Sequence, residues 1–325
     1  MDFRLTADQL ELQQATRELC ARLGPPDPDA DVPAAGRVWW RALDDLGVFS
    51  LRVPTAADGM GLGAVETVLV LEQLGRFLVP GPVAETLVSA EHLVGRVPER
   101  GAGAGPVVVA QLDLGREPLV VENLGLADLV ATHRDDVVSF VTPRRVPVVR
   151  ASVAVDPRNP VTAVGPPDLA EPVAALTGAA GRRWLQHHAV AVAAQQVGIA
   201  RAVLELSVAY VGQREQFGRP VGAFQSVKHL AADMLVRSEV AWSAVLVAAA
   251  TLEGDVPEPD TERAVAVAKM LGDRAATRNA RDAHQLHGGM GYAWETGLHL
   301  YLKRSWALAT VPFPTEGYVT RLVET

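Results

Sequence analysis

Two short stretches carry the residue types that could do chemistry: REQFGRPVGAFQ, with Arg214, Phe217 and Gln225, and QLHGGMGYAWE, with Gln285, Gly288 and Gly289. A guanidinium is a planar fork that holds its charge throughout the physiological range and binds phosphate or carboxylate through two parallel N–H bonds. Phe217, close behind Arg214, offers an apolar face to a flat heterocycle. Gly288, Gly289 and Gly291 lack β-carbons, so a ligand can approach the backbone, and Gln285 adds an amide donor and acceptor. An anion joined to a flat ring suits this set. Gly218 and Pro220 read as the close of a helix, which leaves the Arg214 fork free near its terminus.

The other polar positions have plainer readings. Cys20 lies at a helical-core spacing and is expected to be packing, since a reactive thiol needs a basic or helix-N-terminal setting. His284 and His287 flank the glycines without metal-ligand spacing, so no metal is expected. Trp39 and Trp40 are expected to pack the N-terminal region, and Asp44 and Asp45 to form a solvated helical turn. His187 and His188, at what reads as a helix start, are expected at the surface or in a cap.

These residues must be positioned by 325 residues of 49% hydrophobic composition, enough for more than one core. The net charge of −8 and the absence of a long basic run speak against nucleic acid and favour a small or acyl-type substrate. A single cysteine excludes an intrachain disulfide framework and suits a reducing compartment. The charged, amphipathic start lacks the apolar stretch of a signal peptide, and no long unbroken apolar run follows, so a cytoplasmic protein outside the membrane is expected.

Apolar periodicity predicts helices over Thr6–Leu23, Val38–Leu46, Gly63–Phe77 and Val83–Val94, with PPDPDADVP stopping the first. After GRVPERGAGAG come short valine-rich runs from Pro106 to Pro167, broken by turn formers, which is a strand pattern. Helical periodicity returns from about Leu169, with long segments Trp184–Gln213, Phe224–Leu252 and Thr261–Leu286, the last capped by Asp260. The expected architecture is α+β and mostly α: an N-terminal helical domain (1–105), a small middle β domain (106–168) and a C-terminal four-helix bundle (169–325).

This order, with REQFGRPVGAFQSVKHLAADM and QLHGGMGYAWE, resembles the acyl-CoA dehydrogenase family, whose members carry R-x-Q-F-G, F-Q-x-x-x-H/Q-x-L-A-D-M and Q-x-x-G-G-x-G-[YF]-x-x-E segments. LDDLGVFSLRVPTAADGMGLGAVETVLVLEQLGRFLVP is similar to the family's first domain. The resemblance implies FAD-dependent α,β-dehydrogenation of an acyl-CoA thioester, with electrons passed to an electron-transfer flavoprotein. It also implies that Arg214, Phe217, Gln225, Gln285, Gly288 and Gly289 hold the ADP half of a flavin bound mainly in a neighbouring subunit.

The flavin-ring half departs from the family. Neither a Y-x-V-T-E-P-x-A-G-S-D segment nor a W-I-T strand is present, and the β region has no tryptophan. The family's catalytic glutamate, in Y-E-G-T, falls at about Pro312 or Phe313, neither of which can act as a base. Glu316 is displaced from that column and reads as the first-turn carboxylate of a terminal helix, EGYVTRLVE. The minority position on the first bundle helix falls close to His188. The chain thus resembles actinobacterial members that work as heteromers, as the subunit that completes a flavin site for a homologous glutamate-bearing partner. A self-sufficient homomer using Glu316 and a flavin-free scaffold are the alternatives.

Overall fold

The structure, a computed structural model, describes residues 4–24, 32–97 and 105–324, so most of PPDPDADVP and of GRVPERGAGAG lies outside the described residues. Helix α1 (Ala7–Leu23) opens on a capping box: Thr6 Oγ1 accepts from Gln9 N–H and Gln9 Oε1 from Thr6 N–H. Helices α2 (Val32–Asp45), α3 (Ala64–Arg76) and α4 (Val83–Leu93) follow, then a β region, then long helices α5 (Ala179–Gln213), α6 (Gln225–Glu253) and α7 (Glu258–His287), with α8 (Leu298–Leu308) and α9 (Thr315–Glu324) closing the chain. The fold is mostly helical with a small β region, as the sequence predicts. The chain divides into two compact units, one of 1–30, 68–78 and 192–325, the other of 31–67 and 79–191.

The first unit is built on α5, α6 and α7. The end of α3 crosses α5 in backbone contact: a β-carbon on Gly75 would lie 2.2 Å from the Gln195 carbonyl, and one on Gly198 2.0 Å from that of Glu72. Only glycine fits there. Asn279 on α7 donates to the carbonyls of Ala200 on α5 and Met234 on α6, and its Oδ1 accepts from Arg237, so one side chain joins three helices. Asp273 collects Lys269 Nζ at 2.6 Å, Gln196 Nε2 at 3.1 Å and Thr315 Oγ1 at 2.7 Å, which fixes the start of α9. Lys269 is fully buried, and burial pulls its pKa down against the opposing pull of Asp273.

In the second unit two sheets enclose an aliphatic core. Strands β1 (Val109–Asp113), β3 (Leu129–Arg134), β4 (Val137–Val141) and β7 (Ala174–Leu176) form one sheet, in that order, with β1 and β3 parallel. Strands β2 (Val120–Glu122), β6 (Val161–Val164) and β5 (Val148–Ser152) form the other. Ala110, Leu112, Val121, Val130, Val141 and Val164 fill the space between. The β-branched runs therefore are strands; β1 lends alternate residues Ala110 and Leu112 to the core, whereas β5 is almost wholly exposed.

Several expectations need correction. No helix starts near Leu169; the chain first adds β7, and α5 begins at Ala179, five residues before Trp184. His187 and His188 consequently lie more than two turns inside the helix, 5% and 0% exposed, not at a surface or cap. His188 packs on Trp184, ring centroids 5.0 Å apart, with Nε2 3.2 Å from Glu85 Oε1, close enough for an ion pair but without hydrogen-bond alignment. Burial, reinforced by neighbouring positive charge, holds His187 well below the ordinary histidine pKa. Asp260 is not a cap: α7 begins at Glu258 after Pro257, and Asp260 pairs with Arg263 in the first turn. Trp39 is buried and Trp40 stacks on Phe49, as expected; Asp45 is exposed, but Asp44 is half-buried, and desolvation, then Asp45, raises its pKa. Cys20 is fully buried, with its thiol pushed up to about 12 by desolvation.

Two helices, α5 and α6, reach the length and mean hydropathy of 1.4 that a membrane crossing also needs. In α5, 83% of the most apolar window is buried in protein, which accounts for its composition as packing.

Candidate functional site

Within the first unit a cavity of about 640 Å³ opens where α5 ends and α6 begins, and the close of α7 forms its far wall. Just past α5, Glu215–Gln216 (β8) and Arg219–Pro220 (β9) make a hairpin whose two turn residues, Phe217 and Gly218, have φ of 54° and 75°. A two-residue turn with both centres at positive φ matches strand twist but normally takes Asn or Gly. A phenylalanine there is strained, and its ring stands 90% exposed, edge-on to Phe224 at 6.1 Å. The hairpin thus spends local stability to hold an aromatic ring in solvent.

Arg214, Gln285, Gly288 and Gly289 line the cavity together, as the two sequence motifs require. Among the described residues Arg214 has no carboxylate partner, and the lining holds no carboxylate and no second lysine or arginine. The site is therefore poised for an anion. A second feature agrees with this: α6 opens on Phe224, which gives no side-chain cap, and Ser226 and Val227 of its first turn line the cavity. The amides of residues 225–227 find no acceptor among the described residues outside the helix, so the positive end of α6 faces the same space.

Gly288 and Gly289 present open backbone, with nothing within 4 Å of where a β-carbon would stand, and Gly288 has φ of 57°. Gly291 differs: its missing β-carbon makes room for the His284 backbone, at 2.8 Å from the carbonyl oxygen, so it serves packing rather than ligand approach. His287 stacks on Tyr210 at 4.3 Å and its Nδ1 lies 2.8 Å from the Ala283 carbonyl. That bond makes Nδ1 the protonated nitrogen. Burial lowers the His287 pKa, the Ala283 bond opposes this and His284 adds to it, so the ring is neutral and Nε2 is an acceptor.

Phe217 and Gln225 are not among the residues that line the cavity; Gln225 is exposed and reaches His229 at 3.5 Å. Tyr210, Ser226 and His287 line it and were not singled out as ligand contacts from the sequence. Tyr210 precedes Arg214 by four residues, so helical spacing alone puts both on one side. The uncapped start of α6 is a backbone feature with no residue signature. No group of histidine, cysteine or acidic residues that could hold a metal occurs among the described residues.

Glu316 lies in the first turn of α9, exposed, while Pro312 is buried just ahead of it. The geometry suits a carboxylate stabilised by the helix dipole. His188 is closed off in the second unit with no exposed surface.

The family description "Acyl-CoA dehydrogenase, C-terminal domain" matches residues 178–311, and "Acyl-CoA dehydrogenase, N-terminal domain" matches residues 6–97. Acyl-CoA dehydrogenase FadE34 of Mycobacterium tuberculosis is 34% identical over 294 residues, covering 83% of this chain but 39% of its own length. The chain thus spans well under half of that relative. Acyl-CoA dehydrogenase IpdE2 of the same organism is 30% identical over 277 residues, covering 82% of this chain and 79% of its own. Among solved structures, a chain of the ChsE4-ChsE5 complex from Mycobacterium tuberculosis superposes with a TM-score of 0.77 at 21% identity, over 100% of this chain and 98% of that one. That likeness establishes the fold. On the two family matches and the likeness to IpdE2, the chain belongs to the acyl-CoA dehydrogenase family.

Proposed function

We infer that this chain is the subunit of an FAD-dependent acyl-CoA dehydrogenase that completes the cofactor site while a homologous, glutamate-bearing partner supplies the base. The observation that carries this reading is a cavity suited to an anion whose lining, among the described residues, holds no carboxylate. Arg214, the open start of α6 and the bare backbone of Gly288 and Gly289 converge on one space of nucleotide size. Glu316 sits apart from it in an exposed first turn.

A dinucleotide fits these residues. Arg214 would bind a pyrophosphate with the first-turn amides of α6, Gln285 would bond polar edges, and Gly288 and Gly289 would allow close approach. Phe217 and Gln225, at the surface beside the hairpin, would meet the nucleotide from outside the cavity, where a partner's half of the cofactor would lie. FAD, when bound, supplies the oxidant for α,β-dehydrogenation of an acyl thioester. The chain's own contribution is binding: fixing the ADP half, neutralising its charge and excluding water from the pyrophosphate. An electron-transfer flavoprotein is the acceptor that this chemistry implies. The name of the superposed ChsE4-ChsE5 complex supports a two-subunit assembly as the form to test.

The test is co-expression. Alone, the chain should elute from gel filtration with little flavin absorbance; with a glutamate-bearing homologue it should elute yellow as a complex. A yellow lone chain bleached by an acyl-CoA would overturn the heteromer reading. Glu316→Gln should leave acyl-CoA-dependent reduction of a ferrocenium acceptor within a few-fold of the unaltered complex. The matching change in the partner's base should remove the ~10²–10⁴-fold that general-base catalysis contributes.

A further inference from the structure

One polar atom in the wall of the cofactor cavity is of the wrong kind for an anion. Arg214 and the first-turn amides of α6 can only donate hydrogen bonds, which suits phosphate oxygens. His287, on the same lining, does the opposite. Its Nδ1–H donates to the Ala283 carbonyl at 2.8 Å, which leaves Nε2 an acceptor. The ring cannot exchange its two nitrogens without losing that bond. It is also held flat against Tyr210, with centroids 4.3 Å and planes 20° apart.

This acceptor is within reach of a ligand. Nε2 has no hydrogen-bond partner among the described residues, and, unlike Nε2 of His187 and of His188, it is not sealed in protein. The residue is only 9% exposed, so the opening it has is the cavity it lines. A lone pair facing that space repels a phosphate oxygen and calls for a ligand group that carries a proton.

Helix α5 sets where along the ligand that group must be. The Arg214 amide donates to the Tyr210 carbonyl at 2.9 Å, so the two residues stand one helical turn, ~6 Å, apart. A pyrophosphate at Arg214 therefore brings the next part of the molecule, the sugar, beside Tyr210 and His287, and its hydroxyls are donors. The purine amino group, the other donor of an ADP half, lies beyond the sugar and across the base.

We propose that His287 Nε2 accepts a hydrogen bond from a ribose hydroxyl of the adenosine half, which makes it the residue by which this chain selects a ribonucleotide cofactor. In the segment Q-x-x-G-G-x-G position 287 is unspecified, so the contact belongs to this chain rather than to the motif. Tyr210 serves it by holding the imidazole plane. The assignment rests on the cofactor reading and adds to it the part of the nucleotide that is read.

The test is fluorescence titration of the flavin-depleted, co-expressed complex with three ligands: FAD, FAD built on 2′-deoxyadenosine and FAD built on 3′-deoxyadenosine. The unaltered complex should bind one of the deoxy ligands roughly tenfold more weakly than FAD, the worth of one polar contact, and the ligand that weakens identifies the hydroxyl. His287→Phe keeps a flat ring for Tyr210 but has no acceptor. It should bind FAD about tenfold more weakly and treat all three ligands alike. His287→Gln, whose amide oxygen can take the place of Nε2, should restore part of the preference. A preference that survives in His287→Phe would overturn the proposal and make His287 a packing residue. Tight binding of all three ligands without preference by the unaltered complex would overturn the proposal alone, whereas a complex that binds none of them would overturn the cofactor reading and the proposal with it.

Discussion

Arg201 and Arg214 stand on and just past the same helix, yet their surroundings are opposite. Arg201 reaches Glu72 at 3.4 Å and Glu239 at 2.8 Å and lies over the Trp242 ring at 5.0 Å. Glu72, with no exposed surface, also holds Arg76 at 2.7 Å, and Glu205 adds to Arg76 at 2.8 Å. Burial alone would lower the Arg76 pKa, but Glu72 and Glu205 together raise it. Arg214 makes no ion pair among the described residues and lines the cavity with the start of α6. Where arginine is buried to serve the fold, carboxylates accompany it; Arg214 is exposed and unpaired among the described residues, so its guanidinium is free to meet a charge from outside.

The largest effect should come from breaking the paired side. Glu72→Gln leaves two guanidinium groups, 10% and 15% exposed, without their shared carboxylate. The expected cost is about 3–5 kcal/mol, seen as a lower urea midpoint. A loss below that of an ordinary surface change would mean that Glu205 and Glu239 suffice.

A smaller effect belongs to pH. His133 is fully buried, with its pKa lowered from 6.5 to about 3 by desolvation and then by His188. The unfolded chain takes up this proton near pH 6.5 and the folded one does not until about pH 3. Stability from this group is therefore complete above 6.5 and declines as pH falls through that window, by about 1 kcal/mol per pH unit. His133→Asn should reduce the slope of unfolding free energy between neutral and mildly acidic pH by that amount. An unchanged slope would show that His133 is protonated in the fold.

Smaller again is the exposed partner of Arg201. Glu239 is 54% exposed, so Glu239→Ala should cost about 0.2–1 kcal/mol and lose most of that in high salt.

The contrast between the two arginines also explains what the sequence could convey. Arg214, Gln285, Gly288 and Gly289 were legible because a short motif keeps each beside its neighbours, and the structure gathers them on one cavity. The helices and valine-rich strands were legible through periodicity, and the capped start of α1 through Thr6 and Gln9. His188 was misplaced because its neighbour Glu85 comes from a distant helix and α5 starts earlier than the periodicity suggests, at Ala179. The start of α6 was invisible because an unsatisfied backbone group is defined by what surrounds it in space.

The most direct measurement is flavin retention by complexes carrying Arg214→Ala or Arg201→Ala. Arg214→Ala should leave the urea midpoint within about 0.5 kcal/mol of the unaltered chain while weakening FAD retention by about 2–5 kcal/mol, with Arg214→Lys restoring only part. Arg201→Ala should do the reverse, lowering stability and leaving flavin per folded complex unchanged. An Arg214→Ala complex that keeps its full flavin content with an intact circular dichroism spectrum would contradict the account and make Arg214 a surface residue without a ligand.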